Sequence, residues 1–229
     1  MNVGYRTGPS RKAESPGDLD PIARTVMEWA FPTQVNSHLF DEPIQYIEVD
    51  NDPNANFDFY QFDDPNTSQE FLVENRQYSG FNSYLPEWWK SGDKGGLLIW
   101  WRNGQSRQLR PGDNDTDVVL EGLPYVSDGD LGDPFPGSTN NTSITMATTP
   151  DTRNSLGNPT GFAVTDISSS ATTMTANFYH NYWSGSITSN TTWSGEIYVG
   201  GDITVNSGVT LTISPGTTVN FATTDDQGG

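Results

Sequence analysis

Glu74 and Arg76 lie two residues apart at the end of the apolar run EFLVENRQ (70–77), and a second apolar run, GGLLIWWRNG (95–104), follows. On a strand, residues two apart point to the same face, so a carboxylate and a guanidinium share one side. Such a pair can be part of an acid–base site or a polar clamp inside a sheet. No nucleophile or metal-ligand set accompanies it, so the clamp is the expected role: buried, each charge needs the other and further hydrogen bonds to offset desolvation. A second cluster, SDGDLGDPFPG (127–137), sets Asp128, Asp130 and Asp133 around glycines. Carboxylates on a tight loop suit calcium, a hard cation that takes many oxygen ligands. The spacing is not that of an EF-hand, and DNDPNAN (50–56) and PGDNDTD (111–117) are weaker versions of the same pattern. Trp88, Trp89, Trp100 and Trp101 form two doublets. Trp100 and Trp101 must face opposite sides of a strand, so one can be core and the other exposed. Trp88, Trp89 and Trp101 are the candidates for stacking on a sugar or a protein partner, with core packing as the default for any tryptophan.

Other chemistries find no complete set. The two histidines, His38 and His180, lie in separate segments with no His-Glu-x-x-His helix, the arrangement a zinc hydrolase needs. No Gly-x-Ser-x-Gly elbow or Gly-rich phosphate loop is present. A glycosidase needs only two carboxylates, and 29 acidic residues neither support nor exclude one.

The elements that must position these residues are mostly strands. Residues 1–18 are polar and rich in Gly and Pro, a loop or frayed end. DLDPIARTVMEWAF (18–31) supplies Asp18 or Asp20 as N-cap and Pro21 at the first helical position. Ile22, Val26 and Trp29 follow at helical spacing, which predicts one short amphipathic helix ending before Pro32. The pattern then turns to β: Ile44 to Ile47, FDFYQF (57–62), EFLVENRQ, GGLLIWWRNG, DTDVVLEG (115–122), GFAVTDI (161–167) and TMTANFYH (173–180). Antiparallel strands with long loops imply a sandwich-like body. From Trp183 the texture changes to short alternating strands separated by Asn206-Ser207-Gly208 and Ser214-Pro215-Gly216. That is the texture of solenoid rungs, which need several repeats and a cap. The expected fold is therefore mainly β. An antiparallel body with one short N-terminal helix occupies residues 1–180, and the first rungs of a β-solenoid occupy residues 183–229.

Composition narrows the classes. A length of 229 residues suits one large domain or two smaller ones. The formal net charge of -18 argues against nucleic-acid binding, because phosphate neutralisation needs a basic surface. It favours solubility and cation binding. Charged residues are only 17% and aromatics 12%, which is not the profile of a disordered acidic tail. Cysteine is absent, so disulfide and thiolate chemistry are excluded, and a bacterial secreted or cell-surface origin is expected. The sequons at Asn66, Asn140, Asn141 and Asn190 are those a Ser/Thr/Asn-rich chain carries by chance. No stretch is long and apolar enough for a membrane span. The first residues lack the apolar centre of a signal peptide, so Met1 is expected not to be the natural start.

The ordered series Glu-Trp-Ala-Phe-Pro (28–32), Glu-Phe-Leu-Val-Glu-Asn-Arg-Gln (70–77), Gly-Phe-Asn…Leu-Pro (80–86), Gly-Leu-Leu-Ile-Trp (96–100) and Gly-Asp-Pro-Phe-Pro-Gly (132–137) resembles the M6 peptidase family. These are the immune inhibitor A-like secreted zinc metalloproteases of bacteria. The Thr165-Asp166-Ile167 and Thr173-Met174-Thr175 segments resemble the end of that region, so the likeness spans roughly residues 18–180. It lies downstream of the family's zinc-binding helix, and Trp101 stands where the family tends to have His. The resemblance implies a parent protease whose zinc is bound elsewhere and whose substrate is protein, with this chain itself lacking the catalytic motif. The residues from Trp193 onward resemble the β-helical repeats that follow catalytic modules in large bacterial surface proteins. A second reading of the residues is a non-catalytic extracellular module that binds glycan or protein through exposed tryptophans, with calcium.

Overall fold

The computed structural model describes residues 21–28, 30–46, 59–78, 95–104, 106–110, 112 and 132–222. The strand expected at 115–122 lies outside them, as do Trp88, Trp89, Asp128 and Asp130. The described chain is β-rich, as its patterning predicts, with one short helix.

That helix, α1 (Pro21–Val26), is shorter than the predicted stretch. Pro21 opens it, where a missing N–H costs nothing, and Glu28 ends the turn with a left-handed φ of 58°. Ile22 packs with Ala30, Phe59 and Leu72. Val26, expected on the same buried face, is 69% exposed; the helix stops before another turn can carry that face onto the sheet.

The body is two facing sheets. The first has the order β1 (Thr33–Gln34), β3 (Phe59–Asp63), β4 (Gln69–Gln77), β5 (Gly95–Asn103), β6 (Ser106–Leu109). Its pairings are antiparallel except β1 with β3. The second runs β2 (Leu39–Gln45), β8 (Thr173–Tyr179), β7 (Ala163–Thr165), all antiparallel. Strand periodicity decides what meets between them. Tyr60, Phe62, Phe71, Val73, Leu97, Ile99 and Trp101 point inward from the first sheet, and Met174, Ala176 and Phe178 from the second. Rings lock the layers together: Tyr60 stacks on Phe178 at 4.6 Å, and Phe62 and Phe71 flank Phe162 at 5.0 and 5.3 Å. Pro43 is accommodated because β2 is an edge strand.

Strand β4 is buried along its whole length. Its odd-numbered residues face the second sheet, and Leu72 on the other face meets Ile22, Ala30, Phe59 and the half-buried Trp100. This two-sided burial explains why EFLVENRQ does not alternate cleanly between apolar and polar.

Residues 132–160 form no long strand, yet they are fixed by bonds to the body. Phe135 exchanges two backbone bonds with Leu97, each 2.9 Å, and Ile144 does so with Val164 at 2.8 and 2.9 Å.

The last segment folds as two parallel ladders. β9 (Tyr182–Ile187), β11 (Glu196–Val205) and β13 (Thr218–Phe221) form one, with β11 in the centre. β10 (Thr191–Trp193) and β12 (Leu211–Ile213) form the other, Thr191 opposite Leu211 and Trp193 opposite Ile213. Ile187, Trp193, Ile197 and Val199 fill the space between them. Gly208 and Gly216 make the tight turns with φ of 80° and 82°, a backbone state that glycine adopts without a Cβ penalty.

Candidate functional site

The ENRQ segment at the end of β4 is where polar chemistry is concentrated inside the body. Strand alternation splits it into two struts. On one face the Arg76 guanidinium lies 2.9 Å from Glu74 Oε1 and donates to Oε2 at 3.2 Å. The indole N–H of Trp100, on β5, donates to Oε1 at 3.0 Å. Both charged side chains are nearly sealed from solvent, at 2% and 6% exposure. With both carboxylate oxygens engaged and the side chain buried, the arrangement is that of a tie between β4 and β5.

On the other face, Asn75 Nδ2 donates to the carbonyls of Ile44 and Ala171, at 2.9 and 3.0 Å, with Thr172 at 3.3 Å. Its Oδ1 accepts from Gln77 Nε2 at 2.6 Å, and Gln77 Oε1 accepts from Ser170 at 3.2 Å. This second strut joins β4 to the opposite sheet. Sequence reasoning passed over both: Asn75 meets backbone carbonyls about thirty to a hundred residues away, and Gln77 meets Asn75 itself and the distant side chains of Ser170 and Met174.

Trp101, among the candidates for ligand stacking, lies in the core instead. It is 9% exposed, its indole N–H donates to Gln69 Oε1 at 3.1 Å, and the Arg110 guanidinium sits 5.3 Å from the ring centroid. The ring is therefore buried, and Trp100 is the half-buried member of the doublet. Gln69 also accepts the Ser155 N–H at 2.8 Å, so one amide links β4, β5 and the 132–160 segment. Beside it, the Asp64 carboxylate takes the Asn66 N–H at 3.0 Å, the Thr67 hydroxyl at 2.6 Å and Asn154 Nδ2 at 2.9 Å. The only available signal for this anchor was the turn-forming DDPNTS itself.

Asp133, the described member of the Asp128–Asp130–Asp133 cluster, is fully buried, and its backbone carbonyl accepts the Gly112 N–H at 3.0 Å. Among the described residues no group of three or more His, Asp or Glu is placed to hold a metal ion. Burial raises the Glu70 carboxyl above its usual range, partly offset by Arg102 on the neighbouring strand.

The two histidines, distant in sequence, meet in space. The His180 backbone N–H donates to His38 Nδ1 at 3.4 Å. The His38 ring lies among Phe40, Tyr179 and Tyr198 at centroid distances of 6.1, 5.6 and 5.7 Å. Phe40 is 56% exposed, so one edge of this aromatic group opens to solvent. Desolvation pushes the Tyr179 phenol well above its ordinary value.

Comparison with protein-family models, curated proteins and solved structures found no match to this chain.

Proposed function

We propose that this chain is the β-rich, non-catalytic region of a secreted, M6-like bacterial zinc metalloprotease, with the parallel ladders as the first rungs of a β-solenoid. One observation carries the reading: segments far apart in the chain that bear the resemblance converge on a single spot. Residues 70–77 and 96–100 pair position by position in β4 and β5, Glu74 opposite Leu98 and Arg76 opposite Gly96. Phe135, from the Gly-Asp-Pro-Phe-Pro-Gly segment, bridges Leu97. A Cβ built on Gly96 would come within 2.3 Å of the Phe135 carbonyl oxygen, so only glycine allows this approach. Ala30, from the Glu-Trp-Ala-Phe-Pro segment, packs on Leu72 of the same strand.

In this reading Glu74 and Arg76 are structural, and proteolysis belongs to a zinc site supplied by other residues of the parent protein. Zinc in that parent would polarise the scissile carbonyl and activate water. The calcium expectation at the Asp128 loop rests on sequence alone. The pure chain, supplied with zinc, should not hydrolyse casein. Joined to the zinc-helix region, it should support chelator-sensitive hydrolysis; chelator-sensitive cleavage by the chain alone would refute the assignment.

The second reading, a surface module binding glycan or protein, is favoured by a group other than Trp88, Trp89 and Trp101. Phe40 is exposed beside His38 and Tyr179, and Asp41, Asn177 and Asp166 form a polar row next to it through bonds of 2.8 Å. Quenching of intrinsic fluorescence by a soluble polysaccharide, abolished by Phe40→Ala, would support it; a silent panel would count against it.

A further inference from the structure

We propose that His38 and His180 form an acid-sensitive latch that holds the parallel ladders onto the sandwich at neutral pH and releases them in mild acid. The geometry places both histidines at the junction. His180 follows β8 at the end of the second sheet, and His38 precedes β2 on its edge. Tyr179 of β8 and Tyr198 of β11 meet at 4.5 Å, and His38 packs against both. Two backbone bonds fasten the same place: the Tyr182 N–H to the Gly161 carbonyl at 2.8 Å, and the Tyr198 N–H to the Asn181 carbonyl at 3.1 Å. The Tyr182 ring further rests on Gly200, where a Cβ would lie 2.0 Å from its oxygen.

The hydrogen bond from the His180 N–H requires an unprotonated His38 Nδ1, with the ring proton on Nε2. Protonation of Nδ1 turns the acceptor into a second donor and leaves the backbone N–H unanswered. The His180 ring lies 5.4 Å from Phe62, so its charged form would face the apolar core.

The charged and titratable groups bearing on the pair act in both directions. Glu196 on β11 favours the charged His38, whereas burial opposes it more strongly, and the direction is downward. Burial and then the charge of His38 lower His180. Burial raises the Tyr179 phenol, so it stays neutral in this range, Asp41 is engaged with Asn177 through its backbone N–H, and Asp166 with Thr165 and Asn177. No lysine or arginine follows Arg153 in the chain. Aromatic faces do attract cations, but here desolvation is the larger effect on both imidazoles.

The sign follows from linkage. Both histidines bind protons less readily folded than unfolded, so their contribution is complete above the unfolded value of about 6.5 and is lost as pH falls through it toward the folded values. Opening of the junction should rise by at most about tenfold per pH unit for each histidine.

The test is amide hydrogen exchange on the intact chain, corrected for the intrinsic pH dependence of exchange. Protection at Tyr182 and Tyr198 should fall between pH 7 and pH 5 while the β4–β5 amides keep theirs. Unchanged protection at the junction, or equal loss in β4–β5, would overturn the latch. His38→Gln with His180→Gln should flatten the pH response. Should that variant not fold, an NMR titration of the histidine Cε1 protons in the unaltered chain decides: midpoints below 6.5 for both support the latch, and midpoints at or above it sink the latch.

Discussion

Arg76 cannot be shortened without stranding Glu74 as an unbalanced charge behind β5. Arg76→Ala should therefore lower stability by roughly 3–5 kcal/mol, the cost of leaving one buried partner uncompensated; an unaltered denaturant midpoint would remove the strut. Asn75→Ala tests the second strut, and removing the donor that the Ile44 and Ala171 carbonyls share should cost about 1–3 kcal/mol. Glu70 provides a pH test with a definite sign. Its raised carboxyl means that ionisation costs stability in the folded state, and this cost is relieved as pH falls toward the unfolded value near 4.5. Glu70→Gln should thus be more stable than the unaltered chain at pH 7, by an advantage that shrinks steadily toward pH 4.5 in urea melts. The shared face of Glu74 and Arg76 was legible from period-2 alternation alone. That Trp101 rather than Trp100 would turn inward was not, because alternation fixes opposition between neighbours and leaves open which sheet face meets the second layer. The Asn75 contacts were equally hidden: the Ile44 and Ala171 carbonyls become neighbours only when the sheets close.

Strands β4, β5 and β8 could be read directly, since runs of β-branched and aromatic residues bounded by turn clusters leave few alternatives. β1 and β2 could not. Two residues carry no period, and β2 contains Pro43 and a left-handed Asp41 with φ of 51°, both of which argue locally against a strand. Segment 132–160 carries no strand pattern in the sequence because its order comes from side chains bonding backbone, as where Thr152 donates to the Phe162 carbonyl at 2.7 Å and Thr160 to the Thr152 carbonyl at 2.7 Å. The helix was anticipated and overextended: helical spacing of Ile22, Val26 and Trp29 described a face that the backbone abandons at Glu28. At this scale the sharpest test is Gly96→Ala. Its new methyl would collide with the Phe135 carbonyl, forcing backbone apart at a cost of about 1–3 kcal/mol, and hydrogen exchange should show the Leu97–Phe135 bridge loosening first. Protection at Leu97 equal to that of the unaltered chain would contradict the close approach.

Taken whole, the molecule is a sandwich tied at both faces of one central strand, with parallel ladders joined to its second sheet through tyrosines and two histidines. Under our proposal the sandwich would be the peptidase-like part and the ladders the start of the solenoid. Among the described residues no helix is long and apolar enough to cross a membrane. The β-rich class was legible because alternation and turn chemistry survive in any context, whereas the parallel sense of the ladders depends on which strand stacks on which. Our proposal places this region in a parent zinc protease whose metal-binding helix would lie in another part of that protein. Sequencing the DNA upstream of the Met1 codon tests this most directly. An in-frame His-Glu-x-x-His preceded by a signal peptide is the expected result; a stop codon immediately upstream would contradict the proposal and leave the exposed Phe40 edge as the place to seek a function.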